Sequence, residues 1–223
     1  MTKPIIDRPP AHLIVGPEAG RLPVWDDLYL LGHDDTGAPR LPVEVLGIGL
    51  AGAVLIDLLL NQQVAIRDGR ISMLEYRARG DVIADTAIGH LRQGSRLPVV
   101  PVWLGQFAND ATFYERVRAH LLAVGVLRRR RRRLRADVYV PVDTVWTVRA
   151  QARLRSILYG HEPADHNAAA LCGLVDAVGL HQVLSLPEPD QKVRHGLRVV
   201  ASTHLPPIRY IIGCVEQLIA GHR

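Results

Sequence analysis

Lysine is nearly missing from this chain. Of its 27 basic residues only Lys3 and Lys192 are lysines, so almost all of the positive charge is arginine. That usage fits a GC-rich genome as well as it fits selection for forked contacts with phosphate. Cysteine is equally scarce. Cys172 and Cys214 lie in apolar, helix-like sequence without CxxC spacing. This excludes a disulfide framework or a thiolate metal site and leaves free buried thiols in a reducing cytosol. A membrane-spanning run is also missing: the longest apolar stretch, Val45 to Ile56, stops at Asp57. It is short of the roughly 18 to 20 residues that a span needs and reads as a core helix. The opening "MTKPIIDRPPAHLIVG" has an acid and prolines where a signal peptide needs a continuous apolar core. The expected location is cytoplasmic, or peripheral to a membrane.

Signatures of catalysis are lacking as well. There is no G-x-S-x-G, no Walker loop and no pair of carboxylates with an evident role. The expectation is a non-enzyme with no catalytic residues, no cofactor and no metal. His161 and His166, which flank Asp165, are five residues apart and match no zinc spacing. His161 reads as a helix terminator and His166 as solvent-facing. The sequence "GIGLAG", Gly47 to Gly52, does spell G-x-G-x-x-G, with Asp68 roughly where a ribose-binding acid would lie. A dinucleotide fold would need alternating strands and helices throughout, and the second half of this chain reads as nearly all helix. The glycines are therefore read as small residues that let a buried helix pack closely. One continuous helix over residues 44–60 would dismiss a nucleotide-dependent oxidoreductase.

What is present is the composition of a folded protein: 223 residues, 48% hydrophobic and 22% charged. The net charge is +5, yet setting aside the seven arginines at Arg128 to Arg133 and Arg135 turns it into −2. The basic character is thus one local feature in the stretch "GVLRRRRRRLRADVYV", Gly125 to Val140.

Residues 1–20, rich in proline and glycine, read as a poorly ordered leader, and 21–223 as the folded domain. A short helix is expected at Trp25–Leu31, and a long buried one at Glu44–Leu60. A hairpin is expected about Asp68-Gly69, and an amphipathic helix capped by Asp81. "VWLGQFA" and "ATFYERVRAHLLAVGVL" read as helices, the second closing on Gly125. The arginine run reads as a strand-loop-strand excursion. Helices follow at Thr144–Tyr159, Ala164–Val178, Asp190–Thr203 and Pro207–Ile219. The expected class is mainly α: a single compact helical domain with small β-hairpins, one of them the arginine-rich hairpin near 126–141.

On charge alone the arginine run has three readings. It can be a solvated block with no partner. It can bind nucleic acid non-specifically, although only Tyr139 is near enough to offer a base-stacking ring. It can also lie against an anionic membrane, where each arginine contributes about 1 kcal/mol. In that third case Leu127, Leu134, Val138 and Val140 would add shallow apolar contact.

Five pieces, read in order, resemble the Golgi phosphoprotein 3 family. They are "WDDLYLLGHDDTG", "GLAGAVLIDLLLNQQV", "GDVIADTAIGHL", "ERVRAHLLAVGVL" and the weaker "NAAALCGLVDAVGL". The resemblance covers about Leu22 to Arg223. It implies a mainly helical peripheral membrane protein that binds phosphatidylinositol 4-phosphate and recruits membrane enzymes without being one. It also implies that "GIGLAG" belongs to a helix. The family's pocket positions fall on Pro42, Ala51, Ala111 and Tyr114, where none of the pocket's tryptophan and arginines is retained. The counterpart of the family's apolar hairpin tip, residues 134–137, keeps only Leu134 as a large apolar residue. These departures suggest a divergent bacterial member that relies on bulk electrostatics. The expected contact residues are Arg116, Arg118, Arg128, Arg129, Arg130, Arg131, Arg132, Arg133, Leu134 and Arg135. The expected partners are anionic lipid and membrane-enzyme clients; a homo-oligomer stays open, and nucleic acid is the alternative.

Overall fold

The computed structural model describes residues 22–74, 81–93, 98–110, 112–131, 137–203 and 205–222. The expected leader lies outside the described residues. Among them are nine α-helices and two two-stranded antiparallel sheets, so the class is mainly α.

The organising element is α2 (Val43–Leu60). All eleven residues from Leu46 to Ile56 are buried, and α1 (Val24–Leu31), α4 (Val100–Ala108), α7 (His166–Val178) and α9 (Pro206–Ala220) pack around it. By length and composition it is long and apolar enough to cross a membrane. Its covering by neighbouring helices accounts for that apolarity in another way, as the axis of the hydrophobic core. The helix is continuous through "GIGLAG", and this removes the strand-turn-helix that a dinucleotide site requires. The glycines there act by being small. A Cβ at Gly49 would lie 2.6 Å from a Val178 methyl of α7, and one at Gly52 would lie 2.6 Å from a Val215 methyl of α9.

Local signals predict several of the element ends. In the hairpin of β1 (Val64–Arg67) and β2 (Arg70–Met73), Asp68 and Gly69 have φ of 49° and 72°, the left-handed geometry that a two-residue turn demands. Asp81 caps α3 (Val82–Arg92) by accepting the Ile83 and Ala84 amides at 2.9 and 3.1 Å. Helix α5 (Phe113–Ala123) ends at Gly125, whose φ of 76° lets the Val126 amide turn back to the Leu121 carbonyl at 2.9 Å.

The second hairpin pairs β3 (Leu127–Arg130) with β4 (Val138–Pro141), so that Arg128 lies opposite Val140 and Arg129 opposite Tyr139. Helices α6 (Val145–Leu158), α7, α8 (Asp190–Ser202) and α9 complete the order. They match the expected helices to within two residues at each end. The 3₁₀ turn His181–Leu184 between α7 and α8 has no counterpart in the sequence reading. Both cysteines are free and buried. Burial pushes the Cys172 thiol up to about 12, which keeps it protonated and inert.

Candidate functional site

The strongest local charge is on the β3–β4 hairpin, and α5 carries it there. Arg128, Arg130 and Arg131 are exposed and have no ion pair among the described residues. Arg129 differs: Asp137, across the hairpin, forms a salt bridge with it and holds its guanidinium above the ordinary range. Arg132, Arg133, Leu134 and Arg135 lie outside the described residues.

The two arginines on α5 divide in the same way. Arg116 is exposed, and its Nε donates to Thr112 Oγ1 at 3.1 Å. Arg118 is about one-quarter exposed, pairs with Glu115 one turn away, and sets its guanidinium 3.9 Å from the centroid of the Tyr139 ring. Arg118 is therefore a fastening between α5 and β4, with its charge already met by Glu115. The structure thus separates the expected contact residues into outward-facing cations (Arg116, Arg128, Arg130, Arg131) and internally paired ones (Arg118, Arg129).

The apolar contacts expected for the hairpin need correction. Leu127 and Val140 are buried, at 4% and 6% exposure, and Val138 is half-buried. Leu127 and Val140 help to bind the hairpin to the domain, so they are not free to enter a bilayer. The apolar side chains that do reach solvent near the hairpin base are Val124, Val142, Val145 and Val148.

The described positions aligned with the family pocket do not form an open cationic cleft. Pro42 is exposed at the start of α2, and Ala51 is fully buried within it. Ala111 lies outside the described residues. Tyr114 faces inward to His33, whose Nδ1 lies 2.6 Å from the Tyr29 carbonyl oxygen while its Nε2 meets the Tyr114 hydroxyl. A carbonyl can only accept, so Nδ1 carries the proton and Nε2 accepts from Tyr114. Burial holds His33 below its ordinary range, which agrees with this neutral form, and the Tyr29 ring stacks on it at 4.0 Å. A neutral hydrogen-bonded cluster thus occupies the position that corresponds to one of the family's pocket arginines.

Among the described residues no group of three or more His, Cys, Asp or Glu side chains is placed to hold a metal ion. Asp165 accepts the Ala168 amide at 2.7 Å as the cap of α7 and pairs with Arg153 at 2.6 Å. His166 is half-buried, more enclosed than the solvent-facing position expected of it, and His161 follows Gly160, whose φ of 72° ends α6.

These features define a mainly helical protein whose notable surface is an arginine-bearing hairpin locked to the helix before it. The sequence model of the Golgi phosphoprotein 3 (GPP34) family matches residues 24–208, and the chain belongs to that family. A search of curated proteins finds no match.

Proposed function

We propose that this protein is a non-catalytic, adaptor-like peripheral membrane protein that recognises anionic lipid through bulk charge. The observation that carries this reading is the set of exposed guanidinium groups at Arg128, Arg130 and Arg131, which have no ion pair among the described residues, on a hairpin anchored by buried Leu127 and Val140. Arginines held on one hairpin meet a negative surface together, each contributing about 1 kcal/mol near it. In sequence, Arg132, Arg133 and Arg135 continue the same run of charge, Leu134 is the large apolar residue within that run, and Arg116 adds an exposed cation on α5. Membership of the family supports an adaptor role with membrane-enzyme clients. The buried His33–Tyr114 contact favours charge density over a stereospecific phosphoinositide pocket.

Co-sedimentation with vesicles tests this. Phosphatidylcholine vesicles are compared with vesicles containing phosphatidylserine, and with vesicles in which phosphatidylinositol 4-phosphate supplies the same charge. The expected result is binding to both anionic sets, steeply weakened by salt, and loss of binding when Arg128, Arg130 and Arg131 become glutamine. Equal binding to neutral and anionic vesicles would refute the proposal. A preference for the phosphoinositide at matched charge would refute the bulk-charge mechanism. A duplex-DNA complex that anionic vesicles fail to compete away would favour the nucleic-acid alternative.

A further inference from the structure

Three valines just beyond the hairpin are exposed where the fold does not need them to be. Val142, Val145 and Val148 are 49%, 59% and 56% exposed. Solvated helix positions ordinarily take polar or strong helix-forming residues, and valine is neither. Their positions are fixed by the backbone. The Val142 amide donates to the Val126 carbonyl at 2.9 Å, and the Val145 amide donates to Asp143 Oδ1 at 2.9 Å, pinning the start of α6. Val145 and Val148, three residues apart, share a helix face, while Thr147 and Ala150 occupy the buried one. Val142 follows Val138 and Val140 at the two-residue period of β4, on the side that carries Arg128 and Arg130.

We infer that Val142, Val145 and Val148 form a shallow apolar wedge that enters an anionic bilayer beside the arginines. This rests on the electrostatic reading above and adds a second kind of contact to it. Charge decides the occupant. Arg128, Arg130 and Arg131, at and just after β3, and Arg149 on α6 are exposed in the segments that flank the valines, and the one acid in the sequence between Val138 and Ala150 is Asp143. A second copy of this face would bring like-charged arginines together, and the phosphate backbone that arginines grip in a nucleic acid offers the valines little apolar surface. A lipid surface satisfies both halves: headgroup phosphates meet the arginines, and the acyl boundary receives the valines.

The protein carries its own reporter. Trp25 and Trp103 are each 1% exposed, whereas Trp146 is half-buried beside Val145. The full chain is titrated with phosphatidylcholine–phosphatidylserine vesicles, with and without brominated phosphatidylcholine, which quenches indole fluorescence on contact. Wild type should show bromolipid quenching and a bound fraction that survives salt. Replacing Val142, Val145 and Val148 with serine should lower affinity roughly tenfold or more and abolish the quenching, while low-salt attraction persists. Val145→Leu with Val148→Leu should raise affinity severalfold and deepen the quenching.

If the serine variant binds and is quenched like wild type, this inference falls and the electrostatic reading stands. If wild type fails to bind anionic vesicles at all, both fall. Should the serine variant fail to fold, the leucine variant decides, and unchanged affinity and quenching there overturn the inference.

Discussion

The guanidinium carbon of Arg118 lies 3.9 Å from the ring centroid of Tyr139, which joins the middle of α5 to the middle of β4. This contact adds a side-chain fastening between the arginine hairpin and α5. A cation over an aromatic face contributes about 0.5–1 kcal/mol at a partly exposed site. Tyr139→Leu should therefore lower stability by about that amount and speed amide exchange in β3 and β4, leaving α2 unaffected. Exchange rates in the hairpin that match wild type would show that the stacking fastens nothing.

Asp176 is 1% exposed at its side chain, and its two oxygens accept from Arg194 and Arg198, each at 2.6 Å. The arginines reach in from α8, so one buried carboxylate clamps α8 to α7. Asp176→Ala should cost about 2–4 kcal/mol, because it removes both partners' anchor from the helix interface. Arg194→Gln or Arg198→Gln alone should cost only about 0.5–1 kcal/mol, since each arginine is itself partly solvated and the other remains. Urea unfolding of the three variants gives the comparison, and equal losses in all three would contradict the clamp.

The glycines of "GIGLAG" make a sharp prediction because the nucleotide and packing readings differ in outcome. Gly52→Ala places a methyl 2.6 Å from Val215 and should destabilise the fold by about 1–3 kcal/mol. Gly89→Ala, on α3, meets nothing within 4 Å and should be neutral or slightly stabilising. Thermal melts distinguish them, and a Gly52→Ala protein as stable as wild type would rule out close packing as the reason for the motif.

Two histidines give opposite pH dependences. Burial holds His33 below its ordinary value of 6.5, so its contribution to stability is intact above that pH and is lost as the pH falls through the folded value. His120 is held above 6.5, chiefly by Asp26, whose carboxylate oxygen is 3.6 Å away, with Asp81 adding to the effect. Its contribution is full below 6.5 and is lost as the pH rises through the raised value. Burial pushes the Asp26 carboxyl up as well, which favours the protonated side in the same sense at lower pH. His120→Gln should flatten the loss of stability as the pH rises above 6.5, and His33→Gln the loss as it falls below 6.5. Urea midpoints across that range read both slopes, and a slope that survives its own substitution would reassign the group.

Features that depend on near neighbours were legible in the residues themselves. Asp81 before an apolar periodic run, Asp68-Gly69 between two short alternating runs, and Gly125 after "HLLAV" each specify a backbone geometry within four residues. The long apolar stretch likewise announced α2, because a helix that is hydrophobic all round must be enclosed. The order of the quoted stretches was enough to indicate the family that residues 24–208 match.

What the sequence could not show is which way the hairpin faces. Strand alternation divides Leu127 and Arg129 from Arg128 and Val140, but burial depends on the surface beneath, contributed by residues distant in the chain. For the same reason Val142 read as part of a β-prone piece, Val145 and Val148 as positions in the helix expected at Thr144–Tyr159, and Tyr114 as an ordinary helix position. His33 lies 81 residues from Tyr114 in sequence, and no local pattern encodes a partner that far away. The sequence by itself determined the helices, their caps and the concentration of charge, all of which follow from short-range backbone and side-chain preferences. Only the tertiary structure decided which arginines are already paired, which apolar side chains are buried, and which valines remain exposed, because those depend on packing between distant segments.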